Sequence, residues 1–141
     1  MKRQLSLLFV VISFLFSFIL LGFSGYEQGS VDKNIEPADS EPAVKIGMTN
    51  TMKFDPDTVE IEVGQTVRWV NSSLLAHSVT ADPEEATLEG SVSLPDKAEP
   101  FDSGMMDPEQ TFEHTFKHPG KYVYFCIPHE GANMRGVIIV R

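Results

Sequence analysis

Cys126, the only cysteine in 141 residues, is followed three positions later by His129 and eight positions later by Met134. With no second thiol an intramolecular disulfide is excluded, and the cysteine is left to metal binding, to reactivity or to burial as an inert core residue. A thiolate, an imidazole and a thioether make a soft, mixed donor set. That set suits copper cycling between Cu(I) and Cu(II), whereas zinc rarely accepts the thioether. A second imidazole must come from elsewhere in the chain, and His77, within Ser-Leu-Leu-Ala-His-Ser-Val-Thr, is the best candidate. Singly, each residue has a plainer reading: a buried thiol, a flexible methionine filling the core, a hydrogen-bonded histidine near a strand end. Jointly they point to one copper held by His77, Cys126, His129 and Met134.

A metal that gains and loses one electron needs ligands that barely move, so the elements carrying these residues have to be stiff. From Val44 onward apolar residues alternate with polar ones, the period of a strand with one buried face. Val44, Ile46 and Met48 form one such set; Val59, Ile61 and Val63 another; Val67 and Trp69 a third; Phe112, His114 and Phe116 a fourth. Residues 122–126 and 137–141 read as the last two strands, with turns at Gly64-Gln65 and Pro119-Gly120. Short strands at regular spacing, with no helical stretch beyond the N-terminus, predict an all-β sandwich. Trp69, Tyr122 and Tyr124 fall in its core. His114 reads as a packed residue, His118 as an exposed one, and Met105-Met106 as part of a loop covering the core. The stretch 81–107 has little periodicity and carries Asp82, Glu84, Glu85, Glu89, Asp96, Glu99 and Asp102 against Lys97 alone, which reads as a solvated loop.

Residues 44–141 resemble the plastocyanin/azurin (cupredoxin) family of small blue copper proteins, plastocyanin more than azurin. The resemblance is carried by Phe-x-Pro at 54–56, Val-Gly-Gln-Thr-Val-Arg-Trp-Val-Asn at 63–71, His77-Ser78-Val79, Phe101-Asp102-Ser103-Gly104 and the run from Cys126 to Gly136, in that order. It implies a Greek-key β-sandwich of about eight strands with one type 1 copper per chain. It also implies a non-enzymatic carrier of single electrons, with Met134 as the weak axial ligand. By the same resemblance the Ser78 backbone N–H should bond the Cys126 sulfur, and Asn71 should brace the ligand loops. Pro128 has no N–H with which to give that sulfur a second donor. Electrons would pass through the exposed edge of His129, ringed by Leu74, Leu75 and Ala132, while Glu84 and Glu85 occupy the position of an acidic docking patch. Two departures stand out: Leu74-Leu75-Ala76 replaces the Gly-Phe-Pro of plant plastocyanins, and Phe125 replaces their exposed tyrosine. Since the same ligands hold Cu(I), copper delivery or storage in the periplasm is the rival reading.

The uncharged run from Leu5 to Phe23, behind Lys2 and Arg3, is an export element whose length lies where signal peptides and membrane anchors overlap. Residues 1–23 are thus a signal peptide or an anchor, 24–42 a flexible linker and 43–141 the copper domain. With Lys2 and Arg3 inside the cytoplasm the domain lies outside it, in the periplasm or an equivalent compartment, tethered where the anchor is retained. The chain has a net charge of −9. Such acidity excludes nucleic acid as a partner. It favours a redox protein such as a cytochrome or a membrane oxidoreductase complex, met by a monomer.

Overall fold

The computed structural model describes residues 41–141. The expected N-terminal helix lies outside the described residues, as does the linker up to residue 40. Seven strands follow one another among the described residues: β1 (Val44–Met48), β2 (Phe54–Asp55), β3 (Thr58–Ile61), β4 (Thr66–Asn71), β5 (Thr111–Thr115), β6 (Gly120–Phe125) and β7 (Arg135–Val140). About eight were expected. The stretch 81–107, whose sequence lacks alternation, contributes isolated bridges such as Thr80 to Asp102 and Ser93 to Val123 in place of a further strand. No helix among the described residues is long and apolar enough to cross a membrane.

The strands form two mixed sheets, ordered β2-β1-β4-β5 and β3-β7-β6. β1 runs parallel to β4, and β3 parallel to β7; the remaining pairs are antiparallel. Alternation decides which side chains face inward. Ile46, Met48, Val67 and Trp69 come from one sheet and Ile61, Tyr122, Tyr124, Ile138 and Val140 from the other, and all are buried in a common core. Trp69 lies at the middle of it, with ring centroids 5.4 Å from Tyr124 of the facing sheet and 5.8 Å from Phe112 on the neighbouring strand. Burying an aromatic ring of this size contributes on the order of 4–6 kcal/mol before conformational entropy is counted. Trp69 is two residues from Asn71, so the strand that leads into the first ligand loop is anchored in the core.

Candidate metal centre

Asn71 closes β4 and is fully buried. Its amide nitrogen donates to the carbonyls of Leu75 (2.7 Å) and Met106 (2.9 Å), and its oxygen accepts from the Ser73 amide (3.1 Å) and hydroxyl (2.8 Å). This one side chain therefore sets the path of residues 72–76. His77 then exchanges two backbone hydrogen bonds with Met106, at 3.1 and 2.7 Å. Thr80 does the same with Phe125, both at 2.9 Å. Counting back along that antiparallel register sets Ser78 opposite Ile127, so Ser78 meets the chain as it leaves β6. Its amide donates to the Cys126 sulfur (3.2 Å), and its hydroxyl oxygen accepts from the Ile127 amide (2.8 Å).

Beyond Cys126 the chain turns through a short 3₁₀ segment, Ile127–Ala132, with Pro128 in its first turn, where a missing N–H costs nothing. Asn133 then adopts the left-handed conformation (φ 56°) that brings Met134 back beside Cys126, whose amide donates to the Met134 carbonyl at 3.1 Å. His129 Nδ1 lies 3.3 Å from the Cys126 sulfur and 3.1 Å from His77 Nδ1, and His77 Nδ1 is 3.5 Å from the sulfur. A triangle with these sides has a circumradius of about 1.9 Å, close to the roughly 2.0–2.3 Å bonds that nitrogen and sulfur make to a first-row metal. Two ring nitrogens and a thiol aimed at one point cannot all satisfy one another through protons. A single cation can satisfy all three.

The electrostatics agree. Burial pushes the Cys126 thiol up, only partly opposed by the Ser78 and His129 amides. Burial also lowers the His77 imidazole, and the neighbouring His129 lowers it further. A bound cation reverses the first effect and deprotonates a coordinating thiol. His77, Cys126 and Met134 are fully buried, whereas His129 is partly exposed. On the loops that carry the two histidines, Leu74 is 85% exposed and Leu75 41% exposed, and Pro128 and Ala132 also face solvent. Glu84 and Glu85 are exposed on the acidic loop. His114 stacks on Phe101 at 4.2 Å, away from the His-Cys-His group. Met106 is buried beside His77, and Met105 faces outward.

Sequence reasoning missed Glu130. It follows His129 and looks like a solvent-facing acid, yet it is only 5% exposed. Its carboxylate accepts from the amides of Thr87 (3.2 Å) and Leu88 (2.9 Å) and from the Thr87 hydroxyl. Burial raises the Glu130 carboxyl, but the Ser91 and Thr87 hydroxyls and the Leu88 and Thr87 amides outweigh it and hold it at about 2. Thr87 and Leu88 lie more than forty residues away in sequence, and no spacing rule announces them.

Comparison with known proteins agrees with the donor set. Residues 41–141 match the family of copper binding proteins described as plastocyanin/azurin. Plastocyanin of Scenedesmus fuscus is 32% identical over 99 residues, which covers 70% of this chain and 97% of that one. Amicyanin of Paracoccus versutus is 38% identical over 104 residues, covering 74% and 67%. Among solved structures, the Cu(I) form of an amicyanin mutant superposes with a TM-score of 0.55 at 28% identity, covering 74% of this chain and 88% of that one. A His-Cys-His group at the end of such a sandwich, with a buried methionine closing the loop, fits a type 1 copper site, and the chain belongs to the plastocyanin/azurin family of copper-binding proteins.

Proposed function

We propose that this protein carries single electrons between redox partners outside the cytoplasm and is not itself an enzyme. The observation that carries the reading is the convergence of His77, Cys126 and His129 within 3.5 Å of one another on two separately anchored segments. Copper supplies a one-electron couple when bound. His77, Cys126 and His129 would hold it strongly and Met134 weakly. The Ser78 amide steadies the sulfur from outside, and Asn71 and the Thr80–Phe125 pairing fix both segments against the core. Little relaxation is then open to the ligands when the charge at the site changes. Full burial of three of the four side chains keeps water out and leaves the His129 edge as the route for the electron. The apolar, exposed Leu74, Leu75 and Ala132 around it suit a partner that binds weakly and leaves quickly.

This reading includes a Greek-key sandwich, export by residues 1–23 and docking of a cytochrome or a membrane redox complex. The test is visible absorption and electron paramagnetic resonance on the Cu(II)-loaded protein. We expect an intense thiolate-to-copper band and a narrow copper hyperfine splitting, both absent in Cys126→Ser. A weak spectrum of ordinary tetragonal copper would overturn the assignment. Ready transfer of copper to a chelating acceptor, without reversible electron transfer, would turn it toward delivery.

A further inference from the structure

The ligand loop has few ties to the rest of the fold. At its start the Ile127 amide bonds the Ser78 hydroxyl, and its other backbone bonds, His129 to Cys126, Asn133 to Glu130 and Met134 to His129, stay within the loop. Between Pro128 and Asn133 the one described hydrogen-bonded anchor to the rest of the fold, apart from the imidazole of His129 itself, is the carboxylate of Glu130. Its neighbour His129 sits at a kink in the 3₁₀ segment (φ −119°, ψ 18°), so no regular helix fixes the direction of that ring. The anchor is chemically specific. Both oxygens accept, from two consecutive amides and a hydroxyl, with the charge assistance of an ionised carboxylate; a carboxamide would only approximate this, its oxygen taking the amides and its NH₂ turning to the Thr87 hydroxyl.

We infer that Glu130 is a positioning residue for electron transfer: by tying the ligand loop to Thr87 and Leu88 it fixes where the exposed imidazole of His129 stands. The inference rests on the copper-carrier reading. It adds that the acidic segment near residue 87 and the electron port form one rigid unit. A ring held only by the metal and by its own short loop would move when the oxidation state changes, and such movement slows exchange. Outer supports of metal ligands act in this way, and their loss typically lowers affinity or activity about 10- to 100-fold.

The test compares the copper-loaded full chain with Glu130→Ala, Glu130→Gln, Thr87→Val and the Glu130→Ala/Thr87→Val double variant. The readouts are the blue band, paramagnetic resonance, electron self-exchange by nuclear magnetic resonance line broadening, and unfolding by denaturant. We expect Glu130→Ala to keep the blue band while its copper hyperfine pattern changes and self-exchange slows by about tenfold, the lower end for such supports. Glu130→Gln and Thr87→Val should move the same way by less, and the double variant should be no slower than Glu130→Ala. Thr87 is exposed, so Thr87→Val carries the test should Glu130→Ala not fold. Resonance and self-exchange unchanged in Glu130→Ala, or in Thr87→Val if that variant stands in, would overturn the inference even if stability falls. So would a double variant slower by the product of the two single effects. An unaltered chain without a blue band overturns the copper reading itself, and this inference with it; a blue chain with unmoved variants overturns this inference alone.

Discussion

Ser78 serves the site twice, and its two contributions can be separated. Its amide reaches the Cys126 sulfur from the backbone, so a change of side chain leaves that bond in place. Its hydroxyl satisfies the Ile127 amide at 2.8 Å in a fully buried position. Ser78→Ala should therefore cost about 1–3 kcal/mol, the penalty for an unpaired buried donor, while the thiolate-to-copper band stays near its original energy. Denaturant unfolding beside the absorption spectrum checks both halves; a band that moves as far as the stability would show that the two roles are not separable. At this scale the sequence is legible where chemistry is contiguous. Cys126, His129 and Met134 lie within nine residues, and their types alone point to a soft metal. Glu130 is illegible because its meaning lies in what surrounds it. The same letter next to a ligand histidine describes a solvated acid or a buried anchor, and only the fold brings Thr87 and Leu88 to it.

Strands were legible for a different reason: period two reports which face is buried. The readings at 44–48, around 59, around 67 and from 112 onward agree with β1, β3, β4 and β5. Alternation says nothing about which strand lies alongside, so the parallel pairing of β1 with β4 and of β3 with β7 was not legible, and two-residue β2 is too short to have a period. Pairing brings its own constraints. Tyr124 of β6 lies opposite Gly136 of β7, and a Cβ added at Gly136 would come within 2.2 Å of the tyrosine ring. Because Tyr124 is wedged between Phe54 and Trp69, the ring cannot step aside. Gly136→Ala should destabilise by about 3 kcal/mol, the upper end for overpacking, as read by thermal unfolding; a loss below about 1 kcal/mol would mean that the sheet yields there. On β5, His114 stacks on Phe101 and meets Phe116 edge-on, and Glu99, Lys117, His118 and Tyr122 face it across a surface hollow. Burial first, and the Lys117 charge second, lower its imidazole from the usual 6.5. Below that value the unfolded chain holds the proton more readily than the folded one. The stability contributed is thus complete above pH 6.5 and is lost as pH falls through the depressed value. His114→Phe should narrow the difference between urea midpoints measured at about pH 7 and about pH 5; an unchanged difference would show that His114 does not carry this pH dependence.

At the scale of the described residues, the acidic segment 82–89 and the uncharged exposed residues of the ligand loops are different stretches of chain. Residues 41–141 carry sixteen acidic and eight basic side chains, a net of −8. None of that charge lies on Leu74, Leu75, Pro128, Gly131 or Ala132, the exposed residues of the loops that carry His77 and His129. Asp82, Glu84, Glu85 and Glu89 instead lie on the segment that Glu130 ties to the ligand loop. Long-range attraction and close contact are then separate functions. The acidic segment would draw in and orient a basic partner, an effect that salt screens over about 10 Å at 0.1 M, while the neutral rim would set how briefly the complex lasts once the His129 edge is covered. The two should part under mutation. Electron transfer to a cationic cytochrome should slow as ionic strength rises. Glu84→Lys/Glu85→Lys should slow it on the order of tenfold at low salt and flatten the salt dependence, as the loss of steering requires. Leu74→Ala should lower the rate by a similar factor at every salt concentration, because it removes contact and no charge. Stopped-flow rates across a salt series decide between these outcomes. Parallel salt slopes for the unaltered and charge-reversed chains would mean that the acidic segment is only a solvated loop, and that recognition rests on the apolar rim alone.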